Sequence, residues 1–400
     1  MKNILLLTTI YPAPDLKYET PAIHYFTREW IKLGYEVKVI HHQVIYPAFF
    51  YLLAKLFRDK IASLTGAIVN THKEKEDKYY IMDGVEVYRN PVFKWIPHGK
   101  FTKKSIRKQI EKILKQNNDS GFVPDIIIGH FSNPQLEIVS ALKSKYSARA
   151  CMIMHDNGDS IKRIYKNRYV ELMSKIDIWG FRSLPIKIGF ENNFGEQRRN
   201  FYCYSGIPEN YIVKTTNRTF EGDMKNFLYI GELIKRKYPL TLVNSVHSVY
   251  GEKGFRISYI GRGAEEANIR HLTKSLKLED NVTFQGFIPR DQILKIIDES
   301  DCMIMISKGE AFGLVYLESM ARGCITIGSR NEGIDGIIKH GKNGFLCESG
   351  NENELAEIIK HINSLTSEDR KNISQNAIET AKELTDYKTA YKYISSVSNL

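Results

Sequence analysis

Cys302-Met303-Ile304-Met305-Ile306-Ser307-Lys308-Gly309-Glu310-Ala311-Phe312-Gly313-Leu314-Val315-Tyr316-Leu317-Glu318-Ser319-Met320-Ala321 is the stretch that decides how this chain is read. It opens on an apolar strand, Cys302–Ile306. Gly309 and Gly313 then leave room for a close backbone approach. From Leu314 onward the pattern is helical and ends near Gly323. The unit is therefore strand, glycine-bearing loop, helix start. A helix start offers free amide donors and the positive end of a dipole, and so a place for a phosphate. Glu310 precedes that start and Glu318 lies about a turn inside the helix. Carboxylates there repel a phosphate unless they are aimed elsewhere. Sugar and ribose hydroxyls are their natural targets, because carboxylates accept hydrogen bonds from them. Taken alone, an E-x7-E pair would be read as two acidic residues that the helix dipole favours.

Working outward, short apolar runs alternate with amphipathic stretches in both halves, the pattern of βαβ units. In the second half strands are expected at Phe227–Ile230, Ile257–Ile260, Val282–Gly286, Cys302–Ile306 and Ile325–Gly328. In the first half they are expected at Ile4–Thr8, Val37–His41, Ile126–Gly129, Cys151–Met154, Asp177–Gly180 and Phe201–Tyr204. Helices are expected at Ala22–Leu33, Lys103–Gln116 and Pro134–Lys145. Runs such as Ile126-Ile127-Ile128 suit central strands of a parallel sheet covered on both faces. Between the halves, Ser205-Gly206-Ile207-Pro208 leads into a polar stretch, Lys214 to Lys225, with little periodicity. The expectation is an α/β chain of two doubly wound domains, 1–205 and 226–384, joined by a linker at 206–225 and facing across a cleft. Ligands of such sheets bind beyond the carboxyl ends of the strands.

A length of 400 residues fits two domains at roughly 100–200 residues each. The five cysteines are Cys151, Cys203, Cys302, Cys324 and Cys347. They form no C-x-x-C pair, which argues against a disulfide framework and a thiolate zinc site and fits a reducing compartment. The start, Met1-Lys2-Asn3-Ile4-Leu5-Leu6-Leu7, is closely followed by Pro12 and Pro14, and reads as a buried strand rather than a signal peptide. A cytoplasmic protein is expected. Residues 1–205 hold 32 Lys+Arg against 20 Asp+Glu, a net +12, whereas 206–400 hold 25 against 26. The first half therefore invites an anionic partner. It shows no recognised nucleic-acid module, so no nucleic acid is expected. The run from Tyr46 to Arg58 is aromatic, then aliphatic, then basic. Residues 46–66 can be read as a helix on the core or as one resting on an anionic membrane at its inner face.

The segment Gly309-Glu310-Ala311-Phe312-Gly313-Leu314-Val315-Tyr316-Leu317-Glu318-Ser319-Met320-Ala321-Arg322-Gly323 resembles the retaining family 4 glycosyltransferases, glycosyl transferases group 1, of GT-B architecture. The resemblance extends through Gly231-Glu232-Leu233-Ile234-Lys235-Arg236-Lys237, Gly261-Arg262-Gly263, Val282-Thr283-Phe284-Gln285-Gly286-Phe287, Gly333-Ile334 and Gly341, Asn343, Gly344, Phe345. It covers nearly all of the second half and is only general in the first. It implies transfer of a sugar, with retained configuration, from a nucleoside-diphosphate sugar to a saccharide or lipid-linked acceptor. A UDP-sugar is favoured, no metal or other cofactor is implied, and the setting is cell-surface polysaccharide or glycolipid synthesis. It also implies that a C-terminal helix, about 385–400, packs back on the first domain.

By the same resemblance, Glu310 contacts donor-sugar hydroxyls, and the amides of Phe312, Gly313, Leu314 and Val315 meet sugar and diphosphate. Glu318 holds the ribose, the backbone near Phe287 meets the base, and Gly231, Gly261, Arg236 and Arg262 line the donor site. Lys237 neutralises the diphosphate; read alone, it is a solvated lysine at a helix start. His155, in Met154-His155-Asp156, matches the histidine beside the reacting sugar, although a hydrogen-bonded structural histidine is the competing reading. Three departures stand out. Glu232 replaces a usual Arg, for which Arg236 or Arg262 could substitute. A later family Glu falls on Gly336. The loop after the first strand reads Tyr11-Pro12-Ala13-Pro14 where a glycine pair is usual. These departures keep a catalytically silent partner subunit in view, beside a nucleotide-sugar epimerase, or a phosphorylase, on the same scaffold.

Overall fold

Apolar strands alternating with amphipathic helices give two parallel-dominated sheets, one in each of two units, Met1–Tyr204 with Asp386–Leu400 and Ser205–Thr385. The computed structural model describes residues 2–15, 20–52, 55–57, 74–97, 99–216 and 218–398.

In the first unit the strands are β1 (Asn3–Thr8), β2 (Glu36–Ile45), β3 (Lys78–Met82), β4 (Val85–Phe93), β5 (Ile126–His130), β6 (Arg149–Met154), β7 (Ile178–Phe181) and β8 (Asn200–Tyr202). Their order across the sheet is β3-β4-β2-β1-β5-β6-β7-β8. Neighbours are parallel except β3 and β4. The order reverses at β1 and β5, so the crevice of a doubly wound sheet opens at their carboxyl ends. The β3–β4 hairpin is not among the elements expected from the sequence. It turns on Asp83-Gly84, both at positive φ (48° and 79°), a tight turn whose twist matches the strands.

The core of this unit gathers Ile4, Leu6, Phe26, Trp30, Val39 and Ile128 with Ala390, Tyr393, Ile394 and Val397. The last four lie on helix Asp386–Ser398, which therefore belongs to this unit. Helix Ala22–Lys32 meets it: Trp30 Nε1 donates to Ala390 O at 3.0 Å, and Arg28 pairs with Asp386 at 3.2 Å. Of the stretch 46–66, residues 53, 54 and 58–66 lie outside the described residues. Within the rest, Tyr51 is buried while Phe49, Leu52, Leu56 and Phe57 are exposed. Among the described residues no helix is long and apolar enough to cross a membrane.

The second unit holds β9 (Asn226–Ile230), β10 (Arg256–Ile260), β11 (Val282–Gly286), β12 (Cys302–Ile304), β13 (Ile325–Ser329) and β14 (Phe345–Cys347). Their order is β11-β10-β9-β12-β13-β14, all parallel, with the reversal at β9 and β12. The stretch 206–225 is not a free linker. It lies in this unit, with Ile207, Tyr211, Phe220 and Met224 buried. Arg218 fastens it by donating to Ile297 O at 2.7 Å and to Ser300 O. Its buried residues follow no helical or strand period, which is why it reads as a linker. The five cysteines are buried and free, and burial pushes the Cys151, Cys203, Cys302 and Cys324 thiols up, away from reactivity.

Candidate active site

In a parallel sheet every loop that follows a strand emerges at the same edge. The second unit uses that edge to assemble its polar residues. Gly231 follows β9, Gly261 and Arg262 follow β10, Phe287 follows β11, and Ser307–Gly313 follow β12. The turns touch as backbone: Gly231 N donates to Ile260 O at 2.9 Å, and Gly261 N to Gly286 O at 2.7 Å. The next turn, Lys235–Lys237, is held from below by buried Tyr229, whose single hydroxyl proton is shared between Glu232 O at 3.2 Å and Lys237 O at 3.4 Å. Arg236 reaches across to Lys308 O at 3.3 Å, and Lys308 N returns a bond to Arg236 O at 2.8 Å. Lys237 is thereby fixed facing the β12 loop.

The helix predicted after Gly313 runs Leu314–Ala321. Gly313 stands before it at φ 79°, and a Cβ there would fall 2.4 Å from the Tyr316 ring. Tyr316 is buried and donates to Met305 O at 2.6 Å, tying the helix to the end of its own strand. No side chain caps this helix, so its first amides keep their donors for an incoming group. Glu310 sits beside that start. Its carboxylate lies 3.5 Å from Lys237 Nζ, with exposures of 17% and 13%. At that exposure the pair is sheltered enough to stay mutually oriented and open enough to meet a ligand.

The structure thus brings Glu310, Lys237 and the helix start together, with Gly231 against Lys237. Phe312 is buried, and Leu314 and Val315 are partly exposed on the first turn. Arg262 is exposed and lies against Gly286, and Phe287 is exposed. Glu318 is buried, and Arg290 Nε donates to its Oε1. Arg290 also stacks 5.3 Å from the Tyr211 ring. Sequence reading passes over Arg290, although Phe287-Ile288-Pro289-Arg290 places a cation at the first position of helix Arg290–Asp298. It also passes over Glu332, whose Oε2 accepts from Glu310 N at 2.9 Å. Gly336 sits at φ 96° four positions on. Glu332 thus adds a carboxylate beside Glu310, four positions before Gly336.

His155 follows β6 in the first unit and is half-buried. Its Nε2 lies 3.0 Å from His130 Nδ1, and Phe131 stacks on its ring at 3.8 Å. Burial, with His130 and Arg182 adding to it, holds its imidazole well below the ordinary histidine range, so it is neutral at pH 7.

Two Rossmann-like sheets, one with a lysine–glutamate pair beside an uncapped helix start, are the architecture of GT-B glycosyltransferases. Residues 215–380, within the second unit, match the family model described as Glycosyl transferases group 1. N-acetyl-alpha-D-glucosaminyl L-malate synthase of Bacillus anthracis is 33% identical over 175 residues, which are 42% of this chain and 45% of that protein. The chain thus spans under half the length of this relative. An uncharacterized glycosyltransferase of Methanocaldococcus jannaschii is 25% identical over 348 residues, 84% of this chain and 93% of the relative. Among solved structures, Anabaena Alr3699/HepE in complex with UDP superposes with a TM-score of 0.69 at 16% identity, each chain covered in full (100% and 100%). At that identity the likeness establishes the fold.

Proposed function

We propose that this protein is a retaining glycosyltransferase. It moves a sugar from a nucleoside-diphosphate sugar, a UDP-sugar above others, to a hydroxyl of a saccharide or lipid-linked acceptor, without a metal. The observation that carries this reading is the Lys237–Glu310 pair beside the uncapped start of helix Leu314–Ala321. Support also comes from the sugar named in the Bacillus anthracis relative and the UDP named in the Anabaena complex.

In this mechanism the diphosphate rests on the amides of Gly313, Leu314 and Val315, with Lys237 as its counter-charge. Glu310 accepts from hydroxyls of the transferred sugar. Glu318 accepts from Arg290 Nε at Oε1, and its other oxygen accepts from the ribose. As the anomeric C–O bond breaks, its electron pair passes to the diphosphate, where charge grows on groups already facing preorganised donors. Preorganised donors of this kind supply most of the rate enhancement in many enzymes. The acceptor oxygen then bonds to the anomeric carbon on the same face, and its O–H proton passes to the departing diphosphate. His155 takes the role that the resemblance implies, a hydrogen bond to the transferred sugar. Synthesis of a cell-surface polysaccharide or glycolipid, at the inner face of the membrane, suits the +12 charge of residues 1–205 and the exposed Phe49 and Phe57.

The test is a screen of UDP- and GDP-sugars for donor hydrolysis and transfer, run with and without EDTA. A turned-over donor whose sugar keeps its anomeric configuration, at a rate EDTA leaves unchanged, is the expected result. Loss of activity in EDTA that manganese or magnesium restores would overturn the account of the diphosphate site.

A further inference from the structure

Neutral imidazole carries one N–H and one lone pair, so in a chain of buried rings the direction of one bond fixes all the others. The first unit contains such a chain. Tyr393, on helix Asp386–Ser398, places its hydroxyl 3.1 Å from His130 Nε2, and His130 Nδ1 lies 3.0 Å from His155 Nε2. Tyr393 and His130 are fully buried. Phe131, in the left-handed region at φ 68°, stacks its ring on His155 with 21° between the planes, which holds that ring in place. Burial keeps both imidazoles neutral.

Tyr393 has one proton to donate, and His130 Nε2 is the partner of its hydroxyl among the described residues. If the hydroxyl accepted instead, its own proton would be buried without an acceptor, which costs more than the bond returns. Tyr393 therefore donates to His130 Nε2, and the His130 proton sits on Nδ1. That proton is donated to His155 Nε2, which leaves the His155 proton on Nδ1. We infer that Tyr393 and His130 are positioning residues that fix His155 as its Nδ1–H tautomer, so that it offers its ligand a hydrogen-bond donor. This rests on the reading of His155 as the residue that meets the transferred sugar. It has a chemical consequence. With Nδ1 protonated and the Nε2 lone pair already engaged by His130, His155 has no free lone pair. It orients a sugar oxygen and does not take the acceptor proton.

The experiment is long-range 1H–15N correlation on the full chain labelled with 15N-histidine at pH 7, with signals assigned from a His155→Asn sample. His155 is expected to show a protonated Nδ1 and a bare Nε2. The tautomer is read on the wild-type protein, and the variant serves only to assign the signal. An Nε2–H tautomer, or a charged ring, would overturn it. Tyr393→Phe keeps the packed ring and removes the proton donor. It should mix the His155 tautomers and lower kcat about fivefold, with the donor KM unchanged, for whichever of UDP-glucose, UDP-N-acetylglucosamine and GDP-mannose the wild type turns over. Mixed tautomers with unchanged kcat would support the relay and remove His155 from the sugar site. Unmixed tautomers in Tyr393→Phe would overturn the relay.

Discussion

Substituting Gly261 by alanine tests whether the donor edge is built by backbone contact. Gly261 lies at φ 134°, and a Cβ added there would stand 1.9 Å from Gly231 O, where real contacts do not fall below 3.0 Å. The obstacle is backbone, so no side chain can rotate away. The two turns must part by about 1 Å, and misplacement of that order in a reaction site costs about 10²-fold in rate. The positive φ adds about 1–2 kcal/mol of strain and the crowding a similar amount, for a stability loss of about 2–4 kcal/mol. Donor hydrolysis, UDP binding by titration calorimetry and melting by scanning calorimetry read these effects. Tryptophan fluorescence would not, because Trp30, Trp95 and Trp179 all lie in the first unit. A Gly261→Ala protein with wild-type melting temperature and turnover would refute the claim that the turns at Gly231 and Gly261 constrain the site.

The same tryptophans suit a second measurement. His41 and His42 are buried in β2, and burial draws them from 6.5 down to about 3 and about 4. The unfolded chain therefore binds protons first as pH falls from about 6.5 to about 4. Stability of the first unit should be full above that window and drain away across it, seen as a falling urea midpoint by fluorescence; a flat midpoint would contradict the burial of these rings. Glu310→Ala should lower kcat by about 10²-fold or more in a folded protein, by loss of one strong transition-state contact. Wild-type kcat would remove Glu310 from the site. Replacing Phe49 and Phe57 by Ser should weaken co-sedimentation with anionic liposomes, and salt should weaken it further; equal partitioning onto neutral and anionic vesicles would leave residues 46–66 as an ordinary surface.

The strongest signals in the sequence are local ones. A strand, two glycines and a helix start lie within Cys302–Ala321, and each conformation there is set by residues close by. The order of motifs after Gly231 adds the rest of the donor edge. Partners set by the fold are harder to see. Arg290 and Glu318 are 28 positions apart and Glu310 and Glu332 are 22 apart, and nothing in their spacing announces the contact. The Asp83-Gly84 hairpin is a different case, since Asp-Gly between alternating apolar residues is a strong turn signal. A βαβ reading hides it, because that pattern leaves no place for an antiparallel strand. The stretch 206–225 misleads because burial without periodicity resembles no burial at all.

The helix Asp386–Ser398 sets the order in which the chain can mature. The strands of the first unit precede Ser205–Thr385, yet its core is incomplete without Ala390, Tyr393, Ile394 and Val397, which are synthesised after the whole of that insert. During translation the inserted unit can reach its native state while the apolar groove destined for that helix is still uncovered. The two passages of the chain into and out of the insert lie side by side, with Ile207 N bonded to Leu384 O at 3.0 Å. A nascent chain would therefore present one finished globule and one waiting for its closing segment, and loss of Asp386–Ser398 would harm the unit whose strands are made before the insert.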